Sequence, residues 1–202
     1  MTESCAKNVL PCTLPRAYVL LTLLLIVAMG MFFKMARTGS GSVIKLEIRQ
    51  SNKSPRTTED IGALPVVDTM VLDTISFPES NDLVHRSGRR FGLSKDFALT
   101  FSGKIENQTD LVFTALIASD DGFRFELDGV KICEFSSNRG FETTECQVAL
   151  SSGSHKWKID YFQAGGPLGV VAEYSIADNL GKDGPRKLFG VSGAELKFVG
   201  ME

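Results

Sequence analysis

At 202 residues and a net charge of −2, with both signs interspersed, the chain is long enough for one well-buried domain plus an appendage. No basic stripe argues for nucleic acid, and no such partner is expected. Phenylalanine, at 14 residues, dominates the aromatics and glycine reaches 19, a mixture suited to short strands and tight turns rather than helices.

Residues 1–16 precede an uncharged apolar run, Ala17 to Phe33, that is bounded by Arg16 and Lys34. As a helix rising ~1.5 Å per residue it reaches about the length needed to cross a hydrocarbon core of ~30 Å, with the flanking cations reaching back to the interface. Residues 17–33 are therefore expected to form a single transmembrane helix. A cleaved signal peptide is the competing reading, because Ala28-Met29-Gly30 places small residues at suitable spacing, yet the apolar run continues through Phe33. Lys7 and Arg16 before the segment are outnumbered by Lys34, Arg37, Lys45 and Arg49 after it, so the positive-inside rule is at best neutral and if anything argues against a cytoplasmic amino terminus. The cysteines bear on it instead. Cys133 and Cys146 flank a turn-rich loop, and a disulfide between them would persist only outside the reducing cytosol. Two unpaired cysteines are the alternative. The disulfide reading puts residues 1–16 in the cytoplasm, where Cys5 and Cys12 are free thiols or palmitoylation sites, and the carboxy-terminal part on the extracytoplasmic side.

Residues 34–63 contain Thr38-Gly39-Ser40-Gly41-Ser42 and the polar stretch from Ser51 to Asp60, and read as a linker in which Ile44, Leu46 and Ile48 alternate as a short strand would. From Leu64 onward, apolar runs recur between turn signals: Val66 to Ile75, Phe97 to Ile105, Leu111 to Ala118, Phe123 to Leu127, Val130 to Phe135, Glu145 to Leu150, Trp157 to Phe162, Leu168 to Ile176 and Ala194 to Val199. Strands at this spacing, with no amphipathic helix among them, predict an antiparallel all-β sandwich or barrel over residues 64–202. Asp178 to Gly184 reads as a long hairpin loop. Asn52-Lys53-Ser54 and Asn107-Gln108-Thr109 match the N-glycosylation acceptor.

Within this run, Phe123, Phe125 and Leu127 alternate with Arg124 and Glu126, and Asp128-Gly129 accepts the positive φ angles of a two-residue hairpin turn. That register sets Leu127 against Val130, Glu126 against Lys131 and Phe125 against Ile132. Just before it stand Asp120 and Asp121. Successive side chains of a strand point to opposite faces, so these carboxylates share one cation only if the backbone between them is bent or cis. A hard cation such as Ca²⁺ would take their oxygens. The alternative is a polar turn, Ser119 to Gly122, whose side chains cap nearby amides.

Other chemistry is sparse. His155 sits in a Gly-Ser turn before Trp157, and His85 lies beside Arg86 in a polar loop, neither with a Cys or His at metal-ligand spacing. No Gly-x-Ser-x-Gly elbow joins a strand to a helix, and enzymatic activity is not expected. The cluster Arg86-Ser87-Gly88-Arg89-Arg90 reads as a solvated loop, and Trp157, alternating with Ile159 and Tyr161, as core.

Three segments carry a family resemblance: Phe97 to Ile105, Leu111 to Ile132 and Ser152 to Tyr174. Their Phe101-x-Gly103, Ser119-Asp120-Asp121-Gly122, Asp128-Gly129-x-x-Ile132, Ser152-Gly153-x-His155 and Tyr161-Phe162-Gln163-x-Gly165-Gly166-Pro167, in this order, resemble the PA14 domain. The resemblance implies a β-sandwich that often serves as a carbohydrate-binding module. It further implies a cis peptide joining Asp120 and Asp121, a Ca²⁺ held between them, and sugar hydroxyls ligating the ion. A second loop that supplies an Asn side chain and a backbone carbonyl in the family corresponds here to Gln163 and about Gly165. Gly165-Gly166-Pro167 offers backbone where the family's adhesins place a larger specificity residue.

The reading that follows is a membrane-anchored extracytoplasmic module that binds Ca²⁺, and through it a glycan, at Asp120, Asp121, Gln163, Gly165 and Gly166. The alternative is a structural or assembly subunit that docks to envelope proteins and binds no metal-dependent ligand.

Overall fold

The computed structural model describes residues 43–177 and 184–200. The expected membrane span at 17–33, the signal-peptide alternative, Cys5 and Cys12 lie outside the described residues, as does most of the Asp178 to Gly184 loop. Among the described residues no helix is long and apolar enough to cross a membrane.

The described residues build twelve strands: β1 Ile44–Gln50, β2 Val66–Leu72, β3 Ser76–Ser80, β4 Phe97–Asn107, β5 Leu111–Asp120, β6 Phe123–Leu127, β7 Val130–Phe135, β8 Glu142–Leu150, β9 Gly153–Gln163, β10 Leu168–Ile176, β11 Lys187–Leu188 and β12 Lys197–Val199. One sheet has seven strands, in the order β2-β1-β4-β9-β6-β7 with β12 also on β4, and the other has five, in the order β11-β10-β5-β8 with β3 also on β10. Every pairing is antiparallel. The all-β antiparallel expectation for the carboxy-terminal domain holds.

Alternation explains the core. Ile44, Leu46, Phe101, Phe125, Ile159 and Tyr161 from the larger sheet meet Phe113, Ala115, Ile117, Val170, Ala172 and Tyr174 from the smaller one, all buried in one cluster. Phe189, from the turn after β11, packs edge-on against Phe125, Trp157 and Tyr174. Edge-to-face contacts suit the aromatic quadrupole, each worth ~0.5–1.5 kcal/mol beyond the area buried.

The linker assigned to 34–63 ends earlier than expected. β1 pairs on one side with β2 and on the other with β4, and Ile44 and Leu46 are fully buried. The charged residues between them project from the opposite face and neutralise each other: Glu47 lies 2.8 Å from Lys45 Nζ and 2.7 Å from an Arg49 guanidinium nitrogen. After β1 comes a short 3₁₀ helix, Thr58–Ala63, whose Ile61 joins Leu64, Ala98 and Phe162 in a second apolar cluster on the outer side of the larger sheet. The Asp60 carboxylate accepts the amides of Arg56 and Thr57 at 2.8 and 2.9 Å and so starts this helix. The sandwich therefore begins near residue 43, not at Leu64. The run from Val66 to Ile75 also divides, because the chain leaves the larger sheet after Leu72 and enters the smaller one at Ser76.

The Asp128-Gly129 hairpin forms, with φ of 50° and 80° at the two turn residues. Its register keeps Leu127 opposite Val130 and Glu126 opposite Lys131, but a bulge follows, and Phe125 faces Cys133 rather than Ile132. The extra residue sets Arg124 opposite Glu134, to which its guanidinium binds at 2.7 Å, and turns Cys133 towards the smaller sheet. There Cys133 and Cys146 form a disulfide with their Cα atoms 6.0 Å apart. It ties β7 at the edge of one sheet to β8 at the edge of the other.

Candidate functional site

β5 runs into the site with Ser119, Asp120, Asp121 and Gly122, all of them buried. The Asp120–Asp121 peptide is cis. Gly122 is required by close approach, since a Cβ there would lie 2.5 Å from the Phe162 ring, 2.6 Å from the Phe135 carbonyl oxygen and 2.9 Å from that of Ser137.

The two aspartates are held differently. Asp121 is clamped: its Oδ1 accepts the Arg139 amide at 3.3 Å, its Oδ2 accepts the Ala164 amide at 2.9 Å, and the Gly165 amide also donates to it. These donors come from two loops, β7–β8 and β9–β10, which Asp121 draws together. Asp120 extends the outward-facing row of β5, after Val112, Thr114, Leu116 and Ala118, and among the described residues no donor hydrogen-bonds its carboxylate. The backbone carbonyl of Asp120 accepts a hydrogen bond from the buried Tyr161 hydroxyl.

Gln163 is brought to the pair through the same tyrosine. Its Oε1 lies 2.8 Å from the Tyr161 hydroxyl and its Nε2 donates to the Pro167 carbonyl at 2.9 Å, so the side chain spans the base of the β9–β10 loop and holds the Ala164 and Gly165 amides towards Asp121. Gly165 thus meets Asp121 through its amide. Gly166, exposed and at φ 91°, makes the loop's turn.

Electrostatics follow from this arrangement. Burial pushes Asp120 up to about 6, with repulsion from Asp121 and Glu79 adding to it and Arg139 opposing it. Burial also raises Asp121, opposed by the amides of Ala164, Arg139 and Gly165 and by the charge of Arg56. The mutual repulsion places the carboxylates in each other's field. Arg139 itself stacks over Phe135 and Phe123, with its guanidinium carbon 4.5 and 5.4 Å from the ring centroids, and donates to Thr144 and Ser119.

A raised carboxyl pKa means that the folded state favours protonated Asp120, so stability is lost as pH rises through about 6 and regained below it. In the presence of chelator, the melting temperature is expected to rise between pH 7 and pH 5, and more in the parent than in Asp120→Asn. His155, raised by its hydrogen bond to Asp128, acts in the same direction, which makes the difference between the two proteins the readout. Below this window Glu134 opposes: burial raises it, but Lys131, Thr58 and Arg124 bring it down to about 2, so its contribution is lost as the pH falls through the carboxylate range. Equal pH slopes for parent and variant would show that Asp120 titrates normally.

Fit to a dication can be judged from the donor set. All the candidate donors are oxygens, two of the groups are buried carboxylates that repel each other, and among the described residues no donor engages Asp120, which suits a hard cation. Asp120, Asp121 and the Gln163 carbonyl would hold it. Among the described residues no group of three or more His, Cys, Asp or Glu side chains assembles, so positions remain for water, backbone carbonyls and ligand hydroxyls.

Elsewhere the candidates are structural. His155 bridges Asp128 at 2.7 Å and the Ser151 carbonyl at 3.0 Å. His85 is buried between Thr74 and Ser87, and Trp157 is core. Arg90 faces Asp82, and Arg89 lies over Phe91. Asn107 is buried with its amide nitrogen donating to the Thr109 and Ser151 carbonyls, whereas Asn52 is exposed, so only the latter acceptor is presented to solvent.

No profile of a known protein family matches the chain, and no curated protein sequence matches it. Solved structures do. The PA14 sugar-binding domain of an RTX adhesin superposes with a TM-score of 0.58 at 19% identity, over 72% of this chain and 93% of that one. The PA14 domain of an antifreeze protein gives 0.58 at 15% identity, over 80% and 92%. The A domain of epithelial adhesin 9 from Candida glabrata, solved in complex with Galβ1-3GlcNAc, gives 0.55 at 9% identity, over 79% and 90%.

Proposed function

We propose that this chain, whose fold is PA14-like, is a membrane-anchored extracytoplasmic binding module and not an enzyme, taking a saccharide at Asp120 and Asp121 with the help of Ca²⁺. The observation that carries the reading is a buried, mutually repelling carboxylate pair of which one member has no hydrogen-bond donor among the described residues. Such a pair gains from a cation, and an ion left with open positions gains from vicinal hydroxyls. When bound, Ca²⁺ would supply a Lewis-acidic centre for sugar oxygens. The protein's part is to clamp Asp121 by three amides, to leave Asp120 free to ligate, and to brace both through Tyr161 and Gln163. The sugar-binding neighbours support the ligand class. The Cys133–Cys146 disulfide supports an oxidising compartment, with residues 17–33 as the anchor.

One observation favours the alternative of an assembly subunit docking to envelope proteins. Both oxygens of Asp121 are engaged by amides, as a carboxylate that merely organises a turn would be. Thermal unfolding with and without Ca²⁺ separates the two readings. Millimolar Ca²⁺ is expected to raise the parent's melting temperature and to leave the Asp120→Asn, Asp121→Asn double variant unmoved, since a ligand stabilises by RT ln(1 + [L]/Kd). An unmoved parent favours the assembly subunit. A glycan array in Ca²⁺ and in chelator then tests the saccharide, and protease added outside intact cells tests the orientation.

A further inference from the structure

The β5–β8 ladder runs from Leu111 opposite Leu150 to Ser119 opposite Glu142, and one further step in the same register sets Phe141 beside Asp120. On the other side of β5, Asp120 pairs with Gly169 of β10. Directly opposed residues of an antiparallel pair project to the same face. In β5 the inward positions are Phe113, Ala115, Ile117 and Ser119, so Asp120 belongs to the outward row, and Phe141 and Gly169 belong to that row with it.

The contacts agree with this placement. A Cβ on Gly169 would fall 2.9 Å from the Phe141 ring and 3.0 Å from the Glu79 backbone, so the ring reaches across to the space that glycine leaves open. Phe141 is only half-buried, belongs to neither apolar cluster, is not among the partly buried residues packed against the main one, and has no aromatic partner among the described residues. It is an aromatic ring held on the outer face beside the carboxylate, in a chain whose other phenylalanines serve mostly as core.

The loop that carries it is braced. Cys133 and Cys146 join the strands on either side, and the Arg139 amide binds Asp121, so the backbone two residues before Phe141 is already part of the site. The β9–β10 loop, with Gly165, Gly166 and Pro167, offers no large side chain in return.

We propose that Phe141 is the stacking platform of the Asp120–Asp121 site, receiving the apolar C–H face of a pyranose whose hydroxyls meet the aspartate pair. This rests on the saccharide reading above and adds the residue that selects rings over open-chain polyols. A ring face is apolar and planar enough to cover an aromatic, whereas an extended polyol presents hydroxyls all round.

The test uses the full chain in phosphatidylcholine nanodiscs, with Galβ1-3GlcNAc, lactose and methyl α-mannoside as probes in Ca²⁺ and in chelator, after a broad glycan array. Phe141→Ala is expected to lower affinity for the bound saccharide by about tenfold, as truncation of a binding-site aromatic does, with Ca²⁺ affinity by calorimetry unchanged. Phe141→Leu, which keeps bulk but not the ring, is expected to lose as much. Phe141→Trp is expected to restore affinity, and its emission to shift on saccharide addition; the native Trp157 is buried and supplies a steady background. Parent-like affinity in Phe141→Ala or Phe141→Leu, with binding abolished in Asp120→Asn, overturns the platform and leaves the aspartate site standing. Absence of any glycan binding by the parent array removes the saccharide reading and the platform together.

Discussion

Gly122→Ala is expected to destabilise the domain by about 3 kcal/mol or more, a large part of the ~5–15 kcal/mol that holds a typical domain folded. The added methyl would meet two backbone carbonyl oxygens and the Phe162 ring at distances that ordinary Cβ contacts do not reach. None of the three can yield cheaply. Phe162 is fully buried between Ile61, Leu64 and Ala98, its amide donates to the Gly122 carbonyl at 3.1 Å, and the carbonyls belong to the end of β7 and the loop after it. For a domain of this size the loss corresponds to a fall in melting temperature of roughly 6–12 °C. Differential scanning calorimetry of parent and variant decides it, and a shift under 2 °C would mean that β7 and β9 separate more freely than their packing implies.

Cys133→Ala with Cys146→Ala is expected to cost a similar amount, about 3 kcal/mol on loop-entropy grounds for cysteines 13 apart in sequence. Alanine is preferred to serine because Cys146 lies in the core, where a hydroxyl would need a partner. Guanidinium unfolding of the double variant should show a lower midpoint, and reductant should move the parent to match it. The site should feel the change as well. The bond closes the β7–β8 loop that delivers the Arg139 amide to Asp121, so loosening it is expected to weaken Ca²⁺ stabilisation beyond the loss in basal stability. Equal Ca²⁺ shifts in parent and double variant would show that Asp121 is held well enough by Ala164 and Gly165 alone.

Much of the fold was legible because its causes are local. The alternation of Phe123, Phe125 and Leu127 and the positive-φ demand of Asp128-Gly129 act over a few residues, and both survive intact. Misplacements arose where distant chain decided the outcome. Ile44, Leu46 and Ile48 alternate as clearly as any strand, but their place in the larger sheet depends on β2 and β4 and on the ion pairing of Lys45, Glu47 and Arg49 across the outer face. The bulge opposite Phe125 has no signal in the hairpin itself; it follows from Cys133 reaching Cys146 and Arg124 reaching Glu134. In the site, the acidic pair was visible as adjacent carboxylates. Tyr161 as their brace was not, because its alternation with Trp157 and Ile159 reads as core.

Local patterning is enough to mark most of the strands from Phe97 to Ile176, the Asp128-Gly129 turn and the apolar face of β6, since side-chain alternation and turn chemistry are properties of consecutive residues. Tertiary packing was needed to set β1 in the larger sheet, to bridge the two sheets by a disulfide, and to pair Asp120 with Gly169. These depend on ladders between residues far apart in the chain, whose register is set by burying two sheets against each other at once.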